Sequence, residues 1–381
     1  MQQIEKRIEA LEGTAISEPR DATNPAPANK DMEEKYQDLS DEVKFIYENQ
    51  NSLIKMLEEK INVNLYVTLE YENFQNSNSS LDARNVELVL SSRLNDRLKV
   101  FSEIEFERTA KTSAGSRQGE VEVEQGWLEY SINEYFNPRF GVVLVPFGRF
   151  NSDHFDVWRD LTDRPIAMRR VVPVTWAEAG AGFVGNVGIG ELFSDNFLQD
   201  LQIDYQVYFI NGLTNELNDN GTRNARGAFG VDNNNNKAVA GRLSLSLAQE
   251  QEIGLSGYYG EYDTRSHDVL GFDIDWNFVL GPFELIGEYA FFEFEKGGFQ
   301  KDSSTQTVPE NLQGGYVQAN YHFWFDSLNN TFLGKNFDNP TFTAAFRYGW
   351  ANIKDDPDPG IGPDLPPFYG QVKSREFSSC F

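Results

Sequence analysis

Residues 62–72 read NVNLYVTLEYE: Val63, Leu65, Val67, Leu69 and Tyr71 are apolar, while Asn62, Asn64, Thr68, Glu70 and Glu72 fill most of the places between them. Successive side chains of a strand point to opposite faces, so this stretch is a ribbon with one oily face and one face carrying carboxylates. The ribbon recurs. Leu98, Val100, Ile104 and Phe106 alternate with Lys99, Glu103, Glu105 and Glu107, and Leu201, Ile203, Tyr205, Val207 and Phe209 alternate with Gln202, Asp204, Gln206 and Tyr208. Leu270, Phe272, Ile274, Trp276 and Phe278 are separated by Gly271, Asp273, Asp275 and Asn277, and Val317, Ala319, Tyr321, Phe323 and Phe325 by Gln318, Asn320, His322 and Trp324.

Such strands suit either a soluble sandwich, oily inside and wet outside, or a membrane barrel, oily outside and wet inside. The segments run about 9 to 13 residues, close to the roughly 9–11 of a tilted bilayer-crossing strand and longer than the usual 5–6 of soluble strands. Aromatics make up 14% of the 381 residues. Several sit near segment ends, among them Tyr71, Phe209, Phe278, Tyr348 and Trp350, as interfacial girdles require. These features favour the barrel; a soluble β protein with an aromatic core remains the alternative.

The net charge is −26, from 59 acidic against 33 basic residues, so a nucleic-acid partner, which needs a concentrated basic surface, is not expected. The mean hydropathy of −0.51 does not argue against a barrel, whose polar loops and lumen dominate the average. No apolar run approaches the ~18 residues of a spanning helix. Cys380 is the single cysteine, which leaves no internal disulfide and no CxxC site. The opening MQQIEKRIEALEG carries no basic and then apolar secretion signal; for an exported protein the signal is expected to have been removed or to lie upstream.

The first sixty residues follow another rhythm. Met32, Tyr36, Leu39, Val43, Ile46, Gln50, Leu53, Leu57 and Lys60 step by alternating fours and threes, and Ile4, Ile8 and Leu11 begin the same pattern earlier. A spacing of 3.5 favours a supercoiled seam, so residues 1–60 are read as a coiled coil with a Pro/Ala/Asn linker at 13–30, against the alternative of an amphipathic helix packed on its own domain. One long helix per chain then implies a homo-oligomer.

Residues 61–381 form the second domain, with about thirteen strand segments near 62–73, 83–91, 97–108, 120–131, 136–146, 174–186, 200–211, 237–248, 252–263, 268–279, 282–295, 313–326 and 340–352. Short turns (94–97, 132–135, 248–252, 280–283) tend to alternate with long polar loops (109–119, 147–173, 212–236, 296–312, 353–368), the asymmetry of outer membrane barrels. Exceptions fall at 187–199, too long for a turn, and near Arg265, too short for an outer loop.

The most charged connection, 148–176, holds Arg149, Arg159, Arg164, Arg169 and Arg170 with Asp153, Asp156, Asp160 and Asp163. Folded inward, it would narrow the lumen and select solutes by charge and size; held outward, its charges would simply be solvated. The stretch NPRFGVVLVPFGRFNSDHFDVWRDLTDRP, in which a strand runs into Pro146, Phe147 and Gly148 before the charged loop, resembles the phosphate-selective porin O and P family. The resemblance covers roughly 61–352. It implies a trimeric outer membrane channel of about sixteen antiparallel strands, some members having an N-terminal periplasmic helix, and a pore role for Arg149, Arg159, Arg164, Arg169 and Arg170. The family name implies anion transport. Here, though, the faces expected to line the lumen show Glu70, Glu103, Glu105, Glu122, Glu124, Asp204, Asp273 and Asp275, and carboxylates favour cations, so a broad diffusion channel is expected. The ending QVKSREFSSCF lacks the alternation of a membrane strand, and an unclosed edge in lipid leaves backbone groups unpaired. A sequence lacking about two or three final strands is therefore expected.

Enzyme motifs are absent: there is no HExxH, GxSxG, Walker loop or helix-opening GxGxxG. His154, His267 and His322 are scattered, and each reads as a loop or lumen residue rather than a metal ligand. NELNDNG (215–221) and VDNNNN (231–236) lack the EF-hand spacing and closing Glu. The expected function is a passive outer membrane porin without metal or cofactor, for small hydrophilic solutes or ions. Its coiled coil would project into the periplasm, stabilising a homotrimer or reaching the peptidoglycan. A structural tether whose barrel only anchors a cell-wall-binding helix, and a soluble cell-surface β protein, are the alternatives.

Overall fold

The computed structural model describes residues 37–38, 40–41, 44–45, 60–73, 78–107, 119–189, 201–217, 221–227, 229–230, 232, 235, 237–247, 251–296, 298–301, 304–354 and 372–380. The chain divides into two compact units, Met1–Glu59 and Lys60–Phe381. In the first, Gln37, Asp38, Ser40, Asp41, Lys44 and Phe45 are helical. The heptad positions from Met32 to Leu57, and Ile4, Ile8 and Leu11 before them, lie outside the described residues.

The second unit is built on strands β1 (Ile61–Glu72), β2 (Ser80–Arg93), β3 (Leu98–Glu107), β4 (Glu120–Tyr130), β5 (Asn137–Leu144), β6 (Ala177–Gly188), β7 (Leu201–Ile210) and β8 (Ala238–Leu247). It continues with β9 (Gln251–Glu261), β10 (Asp268–Leu280), β11 (Phe283–Phe294), β14 (Asn311–Phe323), β15 (Phe342–Lys354) and β16 (Val372–Cys380). These make one 14-stranded sheet in which every strand is bonded to its neighbour in sequence order; a small hairpin of β12 (Gly298–Lys301) and β13 (Ser304–Thr307) is inserted between β11 and β14. All pairings are antiparallel, as in β10 with β11 and β1 with β2. The ending expected not to be a strand is one: β16 pairs with β15 from Ala345↔Cys380 to Ile353↔Val372. Backbone pairing with β15, not side-chain alternation, makes it so.

The sheet partitions its side chains in the reverse of a soluble protein. On β1, Val63, Leu65, Val67, Leu69 and Tyr71 are 61–66% exposed. On β10, Leu270 and Phe272 are exposed, while Asp273 and Asp275 on the opposite face are 0% exposed. The outer face is thus apolar and the inner face polar, a pattern stable only where the outer face meets lipid. Exposed aromatics gather toward both strand ends: Tyr71, Phe209 and Tyr259 at one, Tyr130, Phe283 and Tyr321 at the other. Phe283 and Tyr321 also touch across β11 and β14, with ring centroids 5.0 Å apart.

Two bulges reset the alternation. The β1–β2 register slips between Thr68 and Leu69, leaving Arg84 without a partner of its own, and the β3–β4 register slips between Glu103 and Ile104, opposite Glu124. The extra residue puts consecutive polar side chains on the inner face. Arg84 reaches Glu70 while its neighbour Asn85 reaches Glu105; Glu124 reaches His154 while its neighbour Gln125 reaches Glu103.

One end of the sheet carries tight turns. Asn95 Oδ1 accepts from the Arg97 and Leu98 amides at 2.9 Å each, and Asn133 Oδ1 from the Tyr135 and Phe136 amides at 3.0 and 2.8 Å. Gly281, at φ 61, makes the β10–β11 turn. The connection of residues 324–341 breaks the short-turn rule on this same end, carrying a 3₁₀ turn and a short helix, Phe332–Asn336. On the outer face, Phe272→Arg is expected to cost about 2–4 kcal/mol, the penalty of a cation facing the bilayer interior. Urea-dependent folding into liposomes measures it, and a cost near zero would mean that Phe272 does not meet lipid.

Candidate functional site: the inward-folded loop

The β5–β6 connection, residues 145–176, lies against the concave face of the sheet, and its sequence shows why. At its root Asn151 Nδ2 donates to the carbonyls of Val145 and Trp176 at 2.8 and 3.0 Å, and the Trp176 amide donates back to Asn151 Oδ1 at 2.8 Å. One buried side chain thus joins both stems. Pro146-Phe147-Gly148 then turns the chain inward. Gly148 has φ 77, its amide donates to Ser256 Oγ at 3.0 Å, and a Cβ there would lie 2.0 Å from Glu288 Oε1. Only glycine allows both that conformation and that approach. In α1 (Arg149–Ser152) the Phe150 amide donates to Glu288 Oε2 at 2.9 Å.

Apolar residues seat one half of the loop. Phe147 lies 4.8 Å from Phe292, and Trp176 lies 5.1 Å from Tyr258, between ring centroids. Met168, Val171, Val172, Val174 and Trp176 are fully buried in the same cluster, and Ala167 and Met168 belong to α2 (Ala167–Arg170). The apolar run before Trp176, expected to open a strand at 174, is instead this seat, and β6 begins at Ala177.

Polar residues bind the other half to walls far apart in sequence. His154 Nε2 lies 3.1 Å from Glu103 and 2.8 Å from Glu124 on β3 and β4. Asp160 accepts from Gln318 and Asn320 of β14 at 3.1 and 2.8 Å, and Arg347 of β15 donates to the Asp163 carbonyl at 2.6 Å. Asp156 pairs with Arg159 and lies 3.5 Å from Thr68 of β1. The loop therefore touches strands from β1 to β15, and the sheet curves around it.

The expected constriction residues divide into two groups. Arg149, Asp153, Arg159 and Asp160 line one cavity of about 330 Å³ with Glu284, Tyr316, Gln318 and Arg347; Asp156, Arg159 and Asp160 line a neighbouring one of about 320 Å³ with Glu70. Arg164 instead donates to the Val174 carbonyl at 2.9 Å, and Arg169 and Arg170 lie on α2, lining neither cavity. Arg149 sits 3.2 Å from Asp153 and 3.3 Å from Glu252. Burial raises Asp153 and Asp160 above the ordinary aspartate value. Burial, with Arg164 and Arg84 nearby, lowers Arg159 to about 10. At His154 burial opposes the charged ring, but the hydrogen bonds and charges of Glu103 and Glu124 outweigh it and push His154 up to about 10.

The carboxylates expected on the inner face are there, but not all meet water. Glu70 pairs with Arg84 at 2.8 Å, Glu105 accepts from Asn85 at 2.8 Å, and Asp204 accepts from Asn186 at 2.5 Å. Glu103, Asp273 and Asp275 are fully buried, Asp275 against Arg242 at 2.7 Å. Glu103 holds the loop through His154 and Asp275 holds Arg242 of the wall, so neither coats an open lumen. Arg347, Glu284 and Arg242 escaped the sequence reading, although each is a polar residue at an inward position of an alternating strand, a signal that was available; Gln318 was read as a polar position of its strand but not as a loop partner.

An antiparallel meander, apolar outside and polar inside, with a charged loop narrowing its concave side, is the wall of an outer membrane channel. The family described as phosphate-selective porin O and P matches residues 61–345. An uncharacterized protein of Aquifex aeolicus (strain VF5) is 25% identical over 324 residues, which cover 80% of this chain and 71% of that one. Solved structures similar to the chain include OmpF of Salmonella typhi in complex with daunomycin (11% identity, 77% of each chain, TM-score 0.46). Another is the outer membrane channel DcaP of Acinetobacter baumannii (12% identity, 80% of this chain and 88% of that one, TM-score 0.38). The chain belongs to the phosphate-selective porin O and P family: it is a porin of the bacterial outer membrane, a channel rather than an enzyme. Gly148→Ala is expected to unseat the loop, costing about 1–3 kcal/mol through its backbone conformation alone. Faster hydrogen exchange within 149–176 would register this, and unchanged exchange would contradict the glycine's role.

Proposed function

We propose that the sheet closes into a barrel around a passive, water-filled passage for small hydrophilic solutes or ions, and that the loop of residues 148–176 sets its selectivity. One observation carries this reading: Arg149, Arg159 and Arg347 share a cavity of about 330 Å³ with Asp153, Asp160 and Glu284. Fixed charges of both signs across a narrow gap sort permeant ions by sign and size. The strand-end asymmetry supports an orientation with the tight turns and the start of β1 on the periplasmic side; the channel is proposed to be a homotrimer.

Reconstitution in a planar bilayer with a KCl gradient tests the proposal, conductance closing in threes for a trimer. Asp160→Asn should move the reversal potential toward anions and Arg149→Gln toward cations. Each should change the permeability ratio by up to about fivefold, the Boltzmann factor of roughly 1 kcal/mol for one charge near 4 Å in water. A reversal potential indifferent to both substitutions would show that the loop does not set selectivity.

Asp160 also sets a pH dependence. It faces Glu284 and His322 as well as Asn320, and with its value raised it takes up a proton at milder acidity than an exposed aspartate. As pH falls, cation preference should fade in a window above the ordinary aspartate value near 3.9. Asp160→Asn should lack that component; an identical pH profile in the variant would exclude Asp160 as its source.

A further inference from the structure

We propose that Glu103, Glu124 and His154 form a binding site for a first-row transition dication of the zinc type, which fastens the inward-folded loop to the β3–β4 wall. The three residues come from three elements, and one donor atom from each lies within 4.8 Å of the other two. His154 Nε2 is 3.1 Å from Glu103 Oε1 and 2.8 Å from Glu124 Oε2. Those separations approach the edges of a polyhedron whose metal bonds are about 2.0–2.2 Å long, so a small parting of the side chains admits an ion. The side chains are also deeply buried: His154 is 2%, Glu103 0% and Glu124 4% exposed.

Charge is the second, independent observation. Glu87 and Glu105, a cross-strand pair on β2 and β3, add their fields to that of Glu124. Among the described residues no Lys or Arg forms an ion pair with any of these four carboxylates; His154 pairs with Glu103 and Glu124, and Arg164 reaches Glu105 and Glu124 only through its field. Anions taken out of water at such density need a strong counter-charge, and a dication supplies twice what an imidazolium does. Asn85, 3% exposed, spends its amide on Glu87 and Glu105 at 2.8 Å each and leaves its Oδ1 buried with no donor. Three protein ligands leave an open position for water on the metal.

One imidazole nitrogen with two carboxylates selects zinc, manganese or ferrous iron over calcium and magnesium, which prefer oxygen throughout. The bulge at Glu124 then has a purpose, since without the extra residue Glu124 and Gln125 would not both face inward beside Glu103.

The test is zinc binding by the full chain, folded in detergent and first stripped with a chelator. The readout is independent of conduction, so it stands or falls separately from the proposed selectivity. Calorimetric titration with Zn²⁺ should give one ion per chain, and hydrogen exchange within 149–176 should slow on addition of metal. His154→Asn and Glu103→Gln should each weaken binding by more than about tenfold. Should either variant fail to fold, the wild-type chain loaded with Co²⁺ decides: visible absorption of a low-coordinate nitrogen and oxygen site supports the assignment, and the spectrum of hydrated cobalt overturns it. Wild-type protein that binds no zinc at micromolar concentration, or folded variants that bind as tightly as wild type, would also overturn it.

Discussion

A hydrocarbon solvent accepts no hydrogen bonds, and the rest of this structure follows from that constraint. Every backbone amide facing lipid must find its partner on the next strand, which favours a long antiparallel meander over any looser arrangement. The lipid claims one face of each strand for apolar side chains, so the polar half of the chain is forced to the concave side. Glu87, Glu103, Glu124, Asp273, Asp275 and Glu288 meet there, all buried. A soluble protein would place such groups in water; here they must be answered from within.

The inward loop provides much of that answer. It brings His154 to Glu103 and Glu124, Arg149 to Glu252, and the amide of Phe150 to Glu288. Its charges also pair within it, as Arg159 does with Asp156. Elsewhere the wall neutralises itself, with Arg242 between Asp275 and Glu252 and Arg139 on Glu129. The loop is thus the counter-surface for the wall as well as the proposed selectivity element. Its apolar half packs Phe147 and Trp176 against Phe292 and Tyr258, and its charged half lines the cavity shared with Glu284 and Arg347.

Much of the fold was legible because a strand between lipid and a polar interior alternates with period two. The segments 62–73, 200–211 and 268–279 differ by at most one residue at each end from Ile61–Glu72, Leu201–Ile210 and Asp268–Leu280. Illegible elements are those in which another force overrides alternation. Val372–Cys380 pairs by backbone despite its polar sequence, residues 174–176 read as the start of a strand but belong to the apolar seat of the loop, and the bulges at Arg84 and Glu124 shift the phase by one residue. The loop's charges were evident, but which of them share a cavity depends on contacts across more than 150 residues, such as Asp160 with Asn320. No local pattern encodes that meeting, nor that of His154 with Glu103 and Glu124.

In the folded protein the loop is seated against β14, through Asp160 and Asn320. Replacing Asp160 and Asn320, hydrogen-bonded at 2.8 Å, with cysteines in a Cys380→Ser background and adding a short thiol cross-linker tests this directly. A seated loop predicts an efficient intramolecular cross-link in protein folded into outer membranes, lost on unfolding in urea. Two cysteines that stay separate and react independently in the folded protein would contradict it.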